Sequence, residues 1–328
     1  MLPAMDRATL RRAGRALAHF SKSRNLFECH ALPVYGLCLL GAGIAACAVA
    51  PGRFDYAPAM LADVLQSAGV VLAFVYTVRW IGFVKIADLL EQSALLPLAG
   101  VVFAFYSIVV ASFNAPIADG MLARMDREFL ALDRARTVDL LMASGRIKFI
   151  WAWIYNSLKF TPGILLAALI LSGERARAWA VLTALVATAF VCIAFIALMP
   201  AYGNPPFPYE FVDVLNGARD GTVRTFDFSV VTVMVTFPSM HAADAVILAC
   251  AFGWLGRWAM PLVVLNALMF VSALTVGGHY AVDLIAGGVI GAVMLALSLR
   301  LHGEAGHAVR LPALSLPRFL SARTVVSG

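Results

Sequence analysis

The sequence predicts an all-α, polytopic membrane protein with about eight transmembrane helices. Three observations carry that expectation. Of the 328 residues, 62% are hydrophobic and 13% are charged, and the mean hydropathy is +0.86. Soluble domains sit nearer half apolar and a quarter charged. The apolar residues also fall in unbroken runs, long enough to cross ~30 Å of hydrocarbon as helices of ~20 residues. Finally, the runs lack the alternation of barrel strands, and in lipid only helices or closed barrels satisfy the backbone.

The elements follow in order. Residues 1–30 carry Arg7, Arg11, Arg12, Arg15, Lys22 and Arg24 among Leu10, Leu17 and Phe20, a pattern for an amphipathic surface helix. No cleavage-like site precedes the first apolar run, so this segment reads as a retained cytoplasmic arm. The first span is 31–50. The second, 66–84, is less clean, because Arg79 and Lys85 stand near its end; both are expected to snorkel to the interface. Spans at 95–114, 148–171, 178–200, 239–256, 259–277 and 280–301 complete the eight. The chain thus divides into the arm (1–30), two N-terminal membrane helices (31–94), a six-helix membrane domain (95–302) and a cytoplasmic tail (303–328).

Basic residues set the orientation. The arm, the turn with Arg175 and Arg177, the turn with Arg257 and the tail with Arg310, Arg318 and Arg323 fall on one side, expected to be the cytoplasm. The loop 200–238 then lies outside. So does 115–147, where Arg124, Arg127, Arg134, Arg136 and Arg146 alternate with Asp119, Asp126, Glu128, Asp133 and Asp139. A mixed-charge helix lying on the outer surface is expected there. The net charge of +6 is a topology signal and not a nucleic-acid footprint, since no long basic patch exists. Cys29, Cys38, Cys47, Cys192 and Cys250 show no metal-type spacing and read as small buried hydrophobes. Pro205, Pro206 and Pro208, with Phe207 and Tyr209, form a rigid aromatic loop, read as an interfacial turn or a wall of a headgroup entrance.

Two polar clusters mark the last third. In Phe237-Pro238-Ser239-Met240-His241, Pro238 and Ser239 make a helix start. A helix N-terminus attracts anions, so a phosphate there would lie beside His241, with Ser239 at hand. Asp244 follows one turn on and reads as facing a polar cavity. In Gly277-Gly278-His279-Tyr280-Ala281-Val282-Asp283, His279 and Asp283 are spaced i,i+4 and would share a helix face. The carboxylate would fix one ring nitrogen and leave the other as nucleophile or base. A structural polar pair between helices is the alternative. No further His or acidic cluster accompanies the pair, so no metal and no cofactor are expected. The 37 or so residues between the histidines hold two crossings, so both should sit at one membrane face.

The spacing and wording resemble the type 2 phosphatidic acid phosphatase superfamily. Pro238-Ser239-Met240-His241 matches that family's Pro-Ser-Gly-His element with Met for Gly. His279-Tyr280-Ala281-Val282-Asp283 matches the end of its last element. The His-Tyr-x-x-Asp wording is similar to the branch with inositol phosphorylceramide synthase, sphingomyelin synthase and related bacterial lipid phosphatases. Ala115-Pro116-Ile117-Ala118-Asp119, Tyr155-Asn156-Ser157 and Pro200-Ala201 are weaker matches. The resemblance implies a six-helix phosphatase-like core, His279 as the nucleophile forming a phosphohistidine, Asp283 as its orienting group, and His241 as the acid for the leaving group. Beyond Met240, it departs in two places. Ser272 is followed by Ala273 where the family has Arg, and no Lys…Arg-Pro element precedes His241. Arg219 and Arg224 are the candidate replacements for the missing phosphate-binding cations, and Lys159 is a weaker one; a solvated Asp220-Gly221 turn is the plainer reading of the arginine segment.

The expected function is an integral membrane lipid phosphoesterase, in a bacterial inner (plasma) membrane, with its active site on the extracytoplasmic face. The expected partners are a phospholipid or lipid phosphate and the membrane itself, with no nucleic acid. Water as acceptor makes it a phosphatase; a lipid alcohol makes it a headgroup phosphotransferase. A proton-coupled transporter using His279 and Asp283 as a relay, and a membrane scaffold, are the rivals.

Overall fold

The computed structural model describes residues 29–49, 55–56, 58–129, 134–142, 144–203, 209–226 and 237–304. The basic arm up to residue 28, the prolines 205, 206 and 208 with Phe207, and the tail from residue 305 lie outside them. A 3-10 turn, Cys29–Ala31, leads into α1 (Leu32–Val49). Then come α2 (Pro58–Trp80), α3 (Val84–Ala111), α4 (Asp119–Phe129), α5 (Arg134–Leu141) and α6 (Gly145–Asn156). The remaining helices are α7 (Thr161–Leu171), α8 (Arg175–Ala194), α9 (Tyr209–Asp220), α10 (Met240–Gly253), α11 (Met260–Thr275) and α12 (Ala281–Leu301). Among the described residues, the strands are β1 (Asp55–Tyr56) and β2 (Thr225–Phe226), paired in parallel. The all-α class stands.

The number of full spans does not. Among the described residues, five helical stretches are long and apolar enough to cross a membrane alone: Leu32–Val49, Val84–Ala111, Arg175–Ala197, Arg257–Thr275 and Ala281–Leu301. A sixth is broken: Gly145–Lys159 and Thr161–Leu171 meet at a 47° bend. Pro162 causes the break, because its ring supplies no N–H and clashes with the carbonyl four residues back. The run expected at 239–256 yields only the 14 residues of α10, ~21 Å at 1.5 Å per residue and short of ~30 Å of hydrocarbon. α2, with Asp63, Gln66 and Arg79 along it, is not among the spanning candidates either.

Arg79 corrects a second expectation. It does not snorkel: it is 2% exposed. Asp88 lies 2.9 Å from its guanidinium, Glu91 also bonds it, and Arg175 pairs with the same Asp88. Tyr35 donates to Glu91 at 2.8 Å. The reason is that α3 starts at Val84 and not at 95. Its first turns bring Asp88 and Glu91 to one face, and a buried charge needs such partners. The network joins α1, α2, α3 and α8. Lys85 donates to Leu171 O at 3.1 Å, a cation at the C-terminal end of α7.

α8 is the central post. Trp179, Leu182, Ile193 and Cys192 on it are fully buried, and it packs on α1, α3, α7, α10 and α12. α10, α11 and α12 form the other compact unit. Gly287 and Gly291 of α12 set how close α10 comes. A Cβ on Gly287 would lie 2.1 Å from Ser239 O, and one on Gly291 would lie 2.4 Å from Ala243 O. Small residues four apart let two helix backbones touch. This contact brings the start of α10, with His241, beside the start of α12, with Asp283.

Candidate active site

His241 sits in the first turn of α10. Ser239 caps that helix: its Oγ accepts from Ala242 N at 3.3 Å, its carbonyl accepts from Ala243 N at 3.1 Å, and its own N–H donates to Asp283 O at 3.1 Å. Ser239 is fully buried. The structure therefore gives it the work of a cap and a strut between α10 and α12. Tyr155, near the end of α6, lies flat on His241, with ring centroids 4.0 Å apart and planes 11° from parallel. The Tyr155 hydroxyl is 3.3 Å from His241 Nδ1.

His279 precedes α12. Together with Tyr280 it lies outside the helix, so the i,i+4 pair does not arise from a shared helix face. Asp283 is in the first turn, and its Oδ2 accepts from Tyr280 N at 2.9 Å, the return half of a capping box. The same oxygen lies 3.5 Å from His279 Nδ1. The backbone folds the ring back onto the carboxylate: His279 N donates to Ala273 O at 3.3 Å, and Gly278 takes φ +63°, a conformation glycine adopts without strain. His279 is 2% exposed and Asp283 is fully buried.

Gly277 joins the two halves. A Cβ there would lie 2.9 Å from both Tyr155 Cε2 and His279 Cδ2. Tyr155 thus lies on His241 on one side and approaches Gly277 beside His279, so the His241–Tyr155 and His279–Asp283 pairs lie close together at the starts of α10 and α12. One imidazole is tied to a carboxylate and the other to a phenol. That is a pairing suited to a nucleophile and an acid.

The segment 115–147 has a larger role than a solvated surface helix. It breaks into α4 and α5. Asp126 of α4 is 3% exposed, and its carboxylate accepts from Ala281 N at 2.9 Å and Val282 N at 3.0 Å. These are orphan donors of the α12 N-terminus. Asp119 accepts from Tyr280 Oη at 3.1 Å, Tyr202 N at 2.9 Å and Gly203 N at 3.0 Å. Two carboxylates therefore clamp the segment that carries His279. Sequence reasoning assigned them to a mixed-charge surface. The available signal was their i,i+7 spacing around Leu122, which is fully buried.

The candidate phosphate-binding cations stand apart from this cluster. Arg219, at the end of α9, donates to Ala115 O at 2.7 Å. Arg224 is exposed and donates to Gly221 O at 2.7 Å, in a turn where Asp220 Oδ1 accepts from Thr222 N at 2.9 Å. Neither arginine makes a described contact with His241 or His279. Lys159 is exposed, in the 3-10 turn Ser157–Lys159 at the bend between α6 and α7. Ala273, where the resembled family has Arg, is fully buried.

Apolar helices, with a His–Asp pair and a second histidine at the starts of two of them, make up the candidate site. Residues 121–297, more than half of the chain, match the PAP2 superfamily. The chain belongs to that superfamily, whose members are in general phosphatases, and its class is a phosphatase-type lipid phosphoesterase. No match appears among curated proteins or solved structures.

Proposed function

We propose that this protein moves the phosphoryl group of a membrane lipid through a phosphohistidine on His279. The observation that supports this reading is two neighbouring pairs near Gly277: His279 Nδ1 held 3.5 Å from Asp283, and His241 Nδ1 held 3.3 Å from the hydroxyl of Tyr155, whose ring approaches Gly277. His279 Nε2 attacks phosphorus, the lipid O–P bond breaks, and His241 Nε2–H gives its proton to the departing alcohol oxygen. An acceptor then attacks the phosphohistidine, the N–P bond breaks, and His241 takes the acceptor's proton. Water as acceptor gives phosphatase activity; a lipid alcohol gives a headgroup phosphotransferase of the inositol phosphorylceramide synthase kind. Charge on the phosphoryl oxygens needs fixed donors or cations. Arg219 at the end of α9, Arg224 in the turn after it and Lys159 at the α6–α7 bend, all set apart from the histidines in this structure, are the residues we assign to that task when lipid is bound.

We place the site on the extracytoplasmic face, because the short loops at the opposite helix ends carry Arg175, Arg177 and Arg257. The relay reading for a transporter gains nothing here. A broken span exists, but its bend carries Lys159 and Phe160 and not the His–Asp pair.

The test uses purified protein with candidate phospholipids, with and without added ceramide or diacylglycerol, resolved by mass spectrometry. Free phosphate marks a phosphatase and a new phospholipid marks a transferase. His279→Ala should abolish turnover and any acid-labile phosphoenzyme. Asp283→Asn should lose most of the rate, and His241→Ala should be partly rescued by an aryl phosphate, whose leaving group needs little protonation. Unchanged turnover in His279→Ala ends this reading.

A further inference from the structure

A cavity of about 500 Å³ lies between α3, α7, α8 and α10, with Met240 and Asp244 at its catalytic end. Its walls are otherwise largely apolar, Gly100, Phe103 and Ala189 among them. Its rim residues Pro97, Lys159, Phe160 and Gly163 are exposed, and they sit where Pro162 bends the α6–α7 span. On the flank of membrane helices, such an opening faces the lipid.

Asp244 is the anomaly. It is 7% exposed, and its Oδ1 is buried with no hydrogen-bond partner among the described residues. Buried polar atoms are nearly always satisfied, and an exception calls for a missing partner. Asp244 lies one turn beyond His241 on the same helix, so a ligand reaching the catalytic space through the cavity passes its carboxyl group.

We propose that this cavity holds the alkyl part of the lipid alcohol whose oxygen bonds to phosphorus, and that Asp244 accepts a hydrogen bond from that lipid's polar end. The proposal rests on the phosphoesterase reading above. Alcohol chemistry is the same whether the lipid is the leaving group or the acceptor. Its long apolar body fits the walls, and its O–H, or a neighbouring donor, fits the unpartnered oxygen. The bend opens a path for chains entering sideways from the bilayer.

The experiment compares wild type with Asp244→Ala, Asp244→Asn and Gly100→Phe in nanodiscs. A Cβ on Gly100 meets nothing within 4 Å, so the phenyl group can enter the cavity. The readout is the ratio of turnover on a long-chain lipid phosphate to turnover on p-nitrophenyl phosphate. Loss of one hydrogen bond lowers that ratio by up to ~10-fold in Asp244→Ala. Asp244→Asn, which keeps an acceptor oxygen, stays near wild type, and Gly100→Phe falls at least as far as Asp244→Ala. In parallel, a diazirine-bearing diacylglycerol should crosslink to cavity residues in wild type and not in Gly100→Phe. Excess unlabelled diacylglycerol then separates the two sources: it competes with substrate if the pocket serves the leaving group, and yields a new phospholipid if it serves the acceptor. An unchanged ratio in both Asp244→Ala and Gly100→Phe overturns the proposal, as do crosslinks confined to other surfaces. Should wild type cleave no phosphoester while the crosslink still maps to the cavity, the phosphoesterase reading falls and the lipid site stands.

Discussion

Tyr155 covers one face of His241, with the two rings 11° from parallel and the phenol oxygen 3.3 Å from Nδ1. In the protonated ring Nδ1–H can donate to the phenol oxygen, which holds the imidazolium in place and leaves Nε2–H free to give its proton. A ring oriented in this way is a positioning device. It also explains why α6 must end where it does, beside Gly277.

Tyr155→Phe should keep the stack and lose the hydrogen bond that orients the ring. Turnover on a lipid phosphate should fall ~10-fold, less than the ~10²–10⁴-fold contribution of a whole general acid. An aryl phosphate should be affected less. Equal losses on both substrates would detach Tyr155 from the proton transfer and leave it a packing residue.

Asp126 holds two backbone donors at the start of α12. Asp126→Ala should lower stability by ~1–2 kcal/mol, the usual cost of a lost helix cap, and should lower activity further by freeing the His279 segment. Thermal unfolding in detergent, run beside the activity assay, separates the two effects. A variant with wild-type stability and wild-type rate would show that the clamp is dispensable.

Arg79 is a buried cation held by Asp88 and Glu91. Arg79→Met should destabilise by up to ~3–5 kcal/mol, because it leaves buried Glu91 without its cation and Asp88 with Arg175 alone. Arg79→Met combined with Asp88→Asn and Glu91→Gln should recover part of that loss. Denaturation of the purified variants decides it. A single variant as stable as wild type would mean that the network is not closed to water.

His302 lies just past the end of α12. Its Nε2 is 3.0 Å from Thr183 Oγ1, and its Nδ1 is 3.1 Å from His30 Nδ1. Burial, with the neighbouring His30 ring, pushes its pKa from 6.5 down to about 4. Between those values the unfolded chain binds a proton that the folded chain does not, so stability rises with pH across that window. His302's contribution is therefore full above pH 6.5 and is lost as pH falls towards about 4. Melting points collected from pH 4 to pH 7 should slope upward, and His302→Asn should flatten part of that slope. An identical slope in the variant would acquit His302.

Composition and unbroken apolar runs were enough to reach the all-α membrane class, because in lipid the backbone leaves few other choices. The motif wording around His241, His279 and Asp283 was enough to reach the superfamily. Local sequence also carried the cap at Ser239 and the turn at Asp220-Gly221. Where the helices stop was less legible. Pro162 breaks one apolar run and Gly256, at φ +88°, follows the end of another, so hydrophobic length overstates the number of spans.

What only tertiary structure decided is which polar groups meet. Arg79 looked like an interfacial residue until α3, starting early, supplied Asp88 and Glu91. Asp119 and Asp126 looked like surface charge until α4 packed on the start of α12. Tyr155 is 86 residues from His241 and reaches it only because α6 packs against α11. Sequence states the period and the chemistry of each helix. The close contact at Gly287 and Gly291, where backbones touch because no side chain intervenes, is what turns separate motifs into one site.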